Sequence, residues 1–542
     1  MGGELRLGII LLIGLIGNVT FAQSTYPINN NQDILHYTFR IAINDTTNKI
    51  AGEATLKFTL KNENKLTLDL IGLDDEGMGI VVEKIIASEG ELSFTHARNR
   101  LIIDMPKKVN YLMPYEITIY YKGQAANGLI IDANKFGERV FFGDNYPDRA
   151  RNWLPCVDHP SDKATVTWIV TAPNQYKVVA SGKLICELKV ANQFITTTWE
   201  EQVPISTKVM VFGAANFAID NLGKISGIPV STWVYKQNAK AGFYDFSVAP
   251  KVLAFFDSLI APFPYEKLAN VQSKTLYGGM ENAGNIFYFE GAVNGKGERE
   301  NLIAHEIVHQ WFGNSVTESD WPHAWLSEGF ATYLTHVYVG SQYGLGKKNA
   351  GLVADRVRVI KYWHKNPAAI VNYNLLTYPK VANLGELLST NTYQKAGWVL
   401  HMLQNELGED VFWQAVRKYY MVHKNSLAST ADFQRHAEEV SGKDLQVFFR
   451  QWLYGIGQPN LAGSWQYKNG SIEIAVRQIQ ESPFVFPLEL GLIYGDRVEV
   501  KKVNIGSTRQ SFNFTLPKPD RIIFDPHTNL LFEGDSLLQE QE

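Results

Sequence analysis

The spacing of apolar and polar positions changes period twice along the chain. From Ile34 to about Lys236 the two kinds alternate in short runs broken by Gly, Asn, Asp and Pro, as in His36-Tyr37-Thr38-Phe39-Arg40-Ile41-Ala42-Ile43 and Ala54-Thr55-Leu56-Lys57-Phe58-Thr59-Leu60. Period two marks half-buried antiparallel strands, and Tyr115 to Lys122, Ala164 to Thr171, Phe194 to Glu200 and Lys208 to Ala218 repeat it. Near residue 240 the apolar spacing becomes three and four. This predicts helices over Phe243 to Ile260, Leu302 to Phe312, Ala331 to Gly340, Ala396 to Leu407 and Asp410 to Val422. After the turn-like Gly455-Ile456-Gly457-Gln458-Pro459, alternation returns in Ser471 to Arg477, Leu488 to Tyr494, Arg497 to Val503 and Ser511 to Leu516. The pattern predicts a multidomain α+β chain. A leader over residues 1–22 precedes an N-terminal antiparallel β-sandwich domain over 23–236. A mainly helical domain follows over 237–457, then a small C-terminal β-sandwich domain over 458–536 and a frayed tail over 537–542.

Composition narrows what such a chain can do. Of its 542 residues, 45% are hydrophobic, 12% aromatic and 20% charged, which is far too much buriable surface for an intrinsically disordered protein. The 51 basic and 55 acidic side chains leave a net charge of −4, so no electrostatic excess draws the molecule to nucleic acid or anionic lipid. No nucleic-acid partner is expected. Arg6, the apolar run Leu7 to Gly17 and the small-residue exit Val19-Thr20-Phe21-Ala22 before Gln23 read as a signal peptide cleaved after Ala22. The run is shorter than the ~18 apolar residues a membrane anchor needs, so an exported product, periplasmic or secreted, without a transmembrane anchor is expected. Cys156 and Cys186 allow at most one intramolecular disulfide.

The candidate chemistry lies in His305-Glu306-Ile307-Val308-His309, inside the helical stretch Leu302 to Phe312. Residues four apart on a helix lie ~40° apart around its axis and one turn along it, so both imidazoles converge on one point, a geometry suited to Zn²⁺. A catalytic zinc takes three protein ligands and leaves a fourth position open. Glu328, in the first turns of a second amphipathic stretch, Trp325-Leu326-Ser327-Glu328-Gly329-Phe330-Ala331-Thr332-Tyr333-Leu334, is the candidate third ligand. Glu306 lies ~100° round the helix from His305, placed to accept a proton from a water at the open position rather than to bind the ion. One zinc per chain and hydrolysis of a polarised carbonyl are expected.

These residues resemble a known family, the gluzincin aminopeptidases that include aminopeptidase N and leukotriene hydrolase. The likeness rests on His305 to His309 with Glu328 after an eighteen-residue gap, set in Gln310-Trp311-Phe312-Gly313-Asn314-Ser315-Val316-Thr317 and Trp321 to Ala331. Gly278-Gly279-Met280-Glu281-Asn282 is similar to the family's exopeptidase signature, and Arg151, Pro155-Cys156, Asp158, Pro160 and Lys163-Ala164 to a segment of its N-terminal domain. Tyr393-Gln394-Lys395-Ala396 stands where the family's catalytic tyrosine is found. The resemblance spans roughly residues 30 to 460. It implies a thermolysin-like catalytic domain and peptide substrates with a free N-terminus. Glu281 would then face the terminal ammonium, the Gly278 to Asn282 segment would pair with the peptide, and Tyr393 would donate to the developing oxyanion. Three positions depart from the family pattern: Ser327 for Asn, Ala396 for Gly, and Tyr146 for an amine-binding Gln. The chain also ends after the small β-domain, where many relatives continue into a large helical domain, so a more open cleft is expected.

Two other readings are compatible with the same residues. One is a zinc endopeptidase with the same metal helix. The other is a non-enzymatic β-sandwich binding protein whose zinc is structural, which requires a fourth ligand such as His323 or His336 to close the site.

Overall fold

The computed structural model describes residues 28–105, 113–190, 193–366, 384 and 388–541. The leader at residues 1–22 lies outside them. Among the described residues, no helix is long and apolar enough to cross a membrane.

The alternating N-terminal region folds as expected into stacked sheets. The largest has eight strands in the order Lys183–Val190, Phe194–Ser206, Lys163–Pro173, Gln32–Ala42, Ile50–Leu60, Tyr115–Gln124, Gly79–Ala87 and Gly90–Glu91. One pairing departs from the antiparallel expectation. Gln32–Ala42 runs parallel to Lys163–Pro173, with His36 opposite Thr165 and Ala42 opposite Thr171. Such a partner is brought by chain segments far apart in sequence, which local alternation cannot encode. Alternate residues of Lys163–Pro173 are buried, and Trp168 from this strand stacks on Trp153 at 5.8 Å between ring centroids.

The expected boundary near residue 236 does not separate two sheets. Phe217–Ile225 and Ile228–Tyr235, read as part of the first β region, belong to a five-stranded sheet that continues through Leu268–Ser273 and Asn285–Phe289 to the edge strand Gly279–Met280. Period two identifies a strand but not the sheet it joins. This sheet puts the Gly278 to Asn282 segment at its edge.

Among the described residues the helical region contains α1 (Ala239–Asp245), α2 (Ala249–Leu259), α3 (Glu300–Val308), α4 (Trp325–Tyr343), α5 (Leu345–Lys365), α6 (Ala396–Leu407), α7 (Glu409–His423), α8 (Thr430–Ser441) and α9 (Gln446–Leu453). The stretch read as one helix over Phe243 to Ile260 is two, interrupted at Phe246 to Val248, with Pro250 in the first turn of α2, where its missing N–H costs nothing. The C-terminal strands form two sheets. The tail expected to fray is held instead. Gln539–Glu540 pairs parallel with Ser464 and Trp465, and Leu538 is buried, so its polar composition is outweighed by one apolar anchor and a free strand edge. Both cysteines are free thiols.

Buried charge joins the first β region to the helical one. Lys163 Nζ donates to the carbonyls of Asn314 at 2.9 Å and Ser315 at 2.8 Å, in the turns after α3. Lys208 forms an ion pair with Glu318, and both side chains are essentially inaccessible to water. Desolvation makes such a pair a poor source of net stability, but removing one partner strands the other charge in a low-dielectric interior. Glu318→Ala is therefore expected to cost about 3–5 kcal/mol, and the joint change Lys208→Met with Glu318→Leu to recover most of it. Urea unfolding midpoints of the single and double variants check this; strictly additive losses would contradict it.

Candidate metal centre

Helix α3 is short because its C-terminus is fixed from several sides. His309, its last cap residue, has a backbone N–H that bonds back to the His305 carbonyl, and the chain then turns through Gly313 at φ +117°. A Cβ at Gly313 would lie 2.2 Å from Ser327 Oγ, so close approach and the left-handed backbone both require glycine there. Helix α4 then returns antiparallel enough to set Glu328, in its first turn, over the two histidines.

His305 Nε2 and His309 Nε2 are 3.1 Å apart, and Glu328 Oε2 lies 3.3 Å from the first and 3.2 Å from the second. Tetrahedral zinc with bonds of about 2.0–2.1 Å spaces its ligand atoms about 3.3–3.4 Å apart. Protonation agrees with this use. His309 Nδ1 lies 3.1 Å from the Phe312 carbonyl, which can only accept, so this nitrogen carries hydrogen and Nε2 can offer a lone pair. Ser327 Oγ sits 3.0 Å from the same Nδ1, so the Asn-to-Ser departure keeps a polar partner on this ligand. Glu328 Oε2 is buried and faces both imidazole nitrogens. With both imidazoles neutral, three lone-pair atoms converging in this way need a cation among them, a proton or a metal ion, and the donor set fits zinc. Neither alternative fourth ligand reaches the group. His323 Nδ1 faces Thr430 Oγ1 at 3.0 Å, and His336 Nε2 is bound to Asp355 at 2.7 Å.

The surrounding charge reinforces the preference for a cation. Glu281, Glu306 and Glu328 are all buried around His309. Burial works against a charged imidazole at His309, but the negative charge of Glu328, Glu281 and Glu306 overcomes it and pushes the group up to about 10. Burial likewise opposes the Glu328 carboxylate, yet His309 and His305 hold it well below the usual carboxylate range. Glu306 is driven well above that range by burial, with Glu281 and Glu328 adding to the effect against His309. Glu281, Glu306 and His309 form a second possible cation grouping that shares His309 with the first. It offers one imidazole instead of two, so the softer His305, His309 and Glu328 set is the better zinc site.

The exopeptidase-like segment is bolted to the metal helix. Gln310 Nε2 and Asn314 Nδ2 donate to the Glu281 carbonyl at 2.9 and 2.6 Å, and Gln310 Oε1 accepts the Gly284 N–H at 2.8 Å. Gly279 lets Glu306 approach, since a Cβ there would lie 2.2 Å from Glu306 Oε1. Met280 and Asn282 are buried, and Gly278 and Gly279 line the cleft. Glu281 Oε1 is buried without a partner. Its carboxyl is raised by burial and by Glu328, against His309 and Lys208.

Tyr393 sits in a π-helical turn, Asn391–Lys395, that leads into α6 and aligns its ring with His305 at 5.9 Å and 19°. Burial and the Glu328 charge hold its phenol protonated. Tyr146, where relatives carry Gln, is buried edge-on against Tyr277 and Trp321 and also lines the cleft. The cleft measures about 570 Å³. Thr332, Thr335, His336, Asp355 and Arg358 line it too, and sequence reasoning did not single them out for this role. Helical spacing from Glu328 points to Thr332 and Thr335, but no local signal marks Asp355 or Arg358 on α5, a helix the pattern did not predict.

Known proteins resemble this chain in sequence and fold. The profile of the Peptidase M1 N-terminal domain matches residues 34–209, and that of the Peptidase family M1 domain matches residues 244–452. Glutamyl aminopeptidase of Bitis rhinoceros is 27% identical over 365 residues, which cover 64% of this chain and 38% of that protein. Aminopeptidase M1 of Arabidopsis thaliana is 29% identical over 350 residues, 60% of this chain and 38% of its own. Probable aminopeptidase 1 of Sulfurisphaera tokodaii is 26% identical over 434 residues, 76% of this chain and 52% of its own. The chain thus spans about four-tenths to half the length of these relatives. The crystal structure of an M1 zinc metallopeptidase from Deinococcus radiodurans shares the fold, with a TM-score of 0.67 at 21% identity over 79% of this chain and 95% of that one. With both profiles matched in order along a common fold, the chain belongs to peptidase family M1.

Proposed function

We propose that this chain is a zinc aminopeptidase that hydrolyses the first peptide bond of substrates with a free N-terminus. The observation that carries the reading is the convergence of His305, His309 and Glu328 beside a buried, unpartnered Glu281 oxygen. His305, His309 and Glu328 would hold one zinc ion. When bound, the ion supplies a Lewis acid that polarises the scissile carbonyl and brings the pKa of a water toward about 7. Glu306 takes that water's proton as the oxygen attacks and returns it to the departing amine nitrogen. Tyr393 donates its phenolic hydrogen to the carbonyl oxygen as negative charge develops there, an interaction strongest in the transition state. Glu281 binds the substrate ammonium at a fixed distance from the reacting carbonyl, so cutting occurs one residue from the end. The edge strand Gly279–Met280 has its outer side free to align the peptide backbone. The leader pattern at residues 1–22 supports action outside the cytoplasm.

Three outcomes follow from these roles. His309→Ala should lower zinc content after dialysis to a small fraction of that in the unaltered protein, read by elemental analysis. Full retention would remove His309 from the site. Glu306→Gln should keep zinc and lose kcat by at least about a hundredfold on aminoacyl anilides, since general base catalysis contributes ~10²–10⁴; near-normal turnover of the zinc-loaded variant would contradict the general-base role. Glu281→Ala should reduce the ratio of kcat/KM for a free-amine peptide over its N-acetyl form. An undiminished ratio would instead favour the endopeptidase reading.

A further inference from the structure

The cleft extends beyond the metal ligands to residues of α4 and α5, among them His336, Asp355 and Arg358. Glu281 stands beside His309. His336 Nε2 is bound to Asp355 Oδ2 at 2.7 Å, and Asp355 Oδ1 accepts from Arg358 Nη1 at 2.9 Å. Asp355 is buried, and it holds the guanidinium through one oxygen and His336 through the other. The Arg358 side chain is 64% exposed, and its other N–H groups have no partner among the described residues. Among the described residues that line the cleft, it is the one side chain with a permanent positive charge.

Direction and length follow from these positions. An ammonium held at Glu281 leaves the remainder of the peptide beyond the scissile bond in the cleft that Arg358 also lines. From Glu328 to His336 is eight residues of α4, or about 12 Å at 1.5 Å per residue. An extended peptide advances about 3.3 Å per residue, and an exposed arginine on its flexible stem can cover part of that span, so its fork can meet the substrate about two to three residues past the cut.

We propose that Arg358 determines specificity by receiving a carboxylate about two residues beyond the scissile bond, so that short peptides acidic at that point are the preferred substrates. The carboxylate is either the free C-terminus of a tripeptide or an acidic side chain at the same place. The guanidinium offers either one planar, charge-assisted hydrogen bonds, and Asp355 holds it in position beforehand. This inference rests on the aminopeptidase reading above.

Steady-state kinetics of the zinc-loaded full chain test it with four substrates. These are a leucyl anilide, a leucyl tripeptide as free acid, the same tripeptide amidated, and an amidated tripeptide with Glu as its third residue. The unaltered enzyme should favour the free acid, the Glu peptide or both over the plain amide by about tenfold or more in kcat/KM, carried mainly by KM. Whichever of the two is favoured identifies the source of the carboxylate. Arg358→Met should bring that ratio to near one, and Arg358→Lys, which keeps the charge without the fork, should retain part of it. The ratio within one variant is independent of how much enzyme is folded. Equal rates on all three tripeptides, or a preference that survives Arg358→Met, would overturn the inference while leaving the aminopeptidase reading intact. Failure to cleave the anilide and every tripeptide would overturn that reading and this inference with it.

Discussion

Three lone-pair atoms held within 3.3 Å of one another constrain the rest of this molecule. With both imidazoles neutral they repel, and the buried carboxylates of Glu281 and Glu306 nearby deepen the negative potential. The chain brings them together only because the surrounding fold is rigid enough to bear that cost, and a divalent cation reverses its sign. The arrangement has the mark of a functional site: locally unfavourable electrostatics maintained by packing.

The rigidity can be traced to named contacts. Trp311 and Phe312 bury the start of the turns after α3, with Phe312 stacked on Phe330 of α4 at 4.2 Å, so the histidine helix and the helix of Glu328 share one aromatic seam. Gln310 and Asn314 spend their side chains on the Glu281 carbonyl, which ties the edge strand to the same turns. Lys163 caps two carbonyls of these turns from the N-terminal β region. A site built from three regions therefore moves as one unit. The first β region also contributes Tyr146 to the cleft wall.

Much of this was legible in the residues. The pair His305 and His309 carries its own geometry, because helical spacing alone aims both rings at one point. Glu328 was readable as the candidate third ligand from its place early in a second amphipathic stretch, and the fold brings it beside the two histidines. The fold class was legible because periods of two and 3.6 differ along long runs. What escaped has physical causes. The parallel pairing of Gln32–Ala42 with Lys163–Pro173 and the assignment of residues 217–235 to the edge-strand sheet are choices of partner, not of conformation. The tail was misread because Leu538 alone anchors an otherwise polar segment. Helix α5 was missed because its apolar face is thin, with only Leu352, Asp355 and Val359 buried, and one of these is an acid buried to hold Arg358.

The central claim is that His305, His309 and Glu328 ligate one zinc ion through Nε2, Nε2 and Oε2. Anomalous diffraction from crystals of the purified protein, collected on either side of the zinc absorption edge, tests it most directly. The account predicts a single strong peak about 2.0–2.2 Å from each of those three atoms, present above the edge and absent below it. No peak at that point, or a zinc ion enclosed by four protein ligands elsewhere, would contradict it.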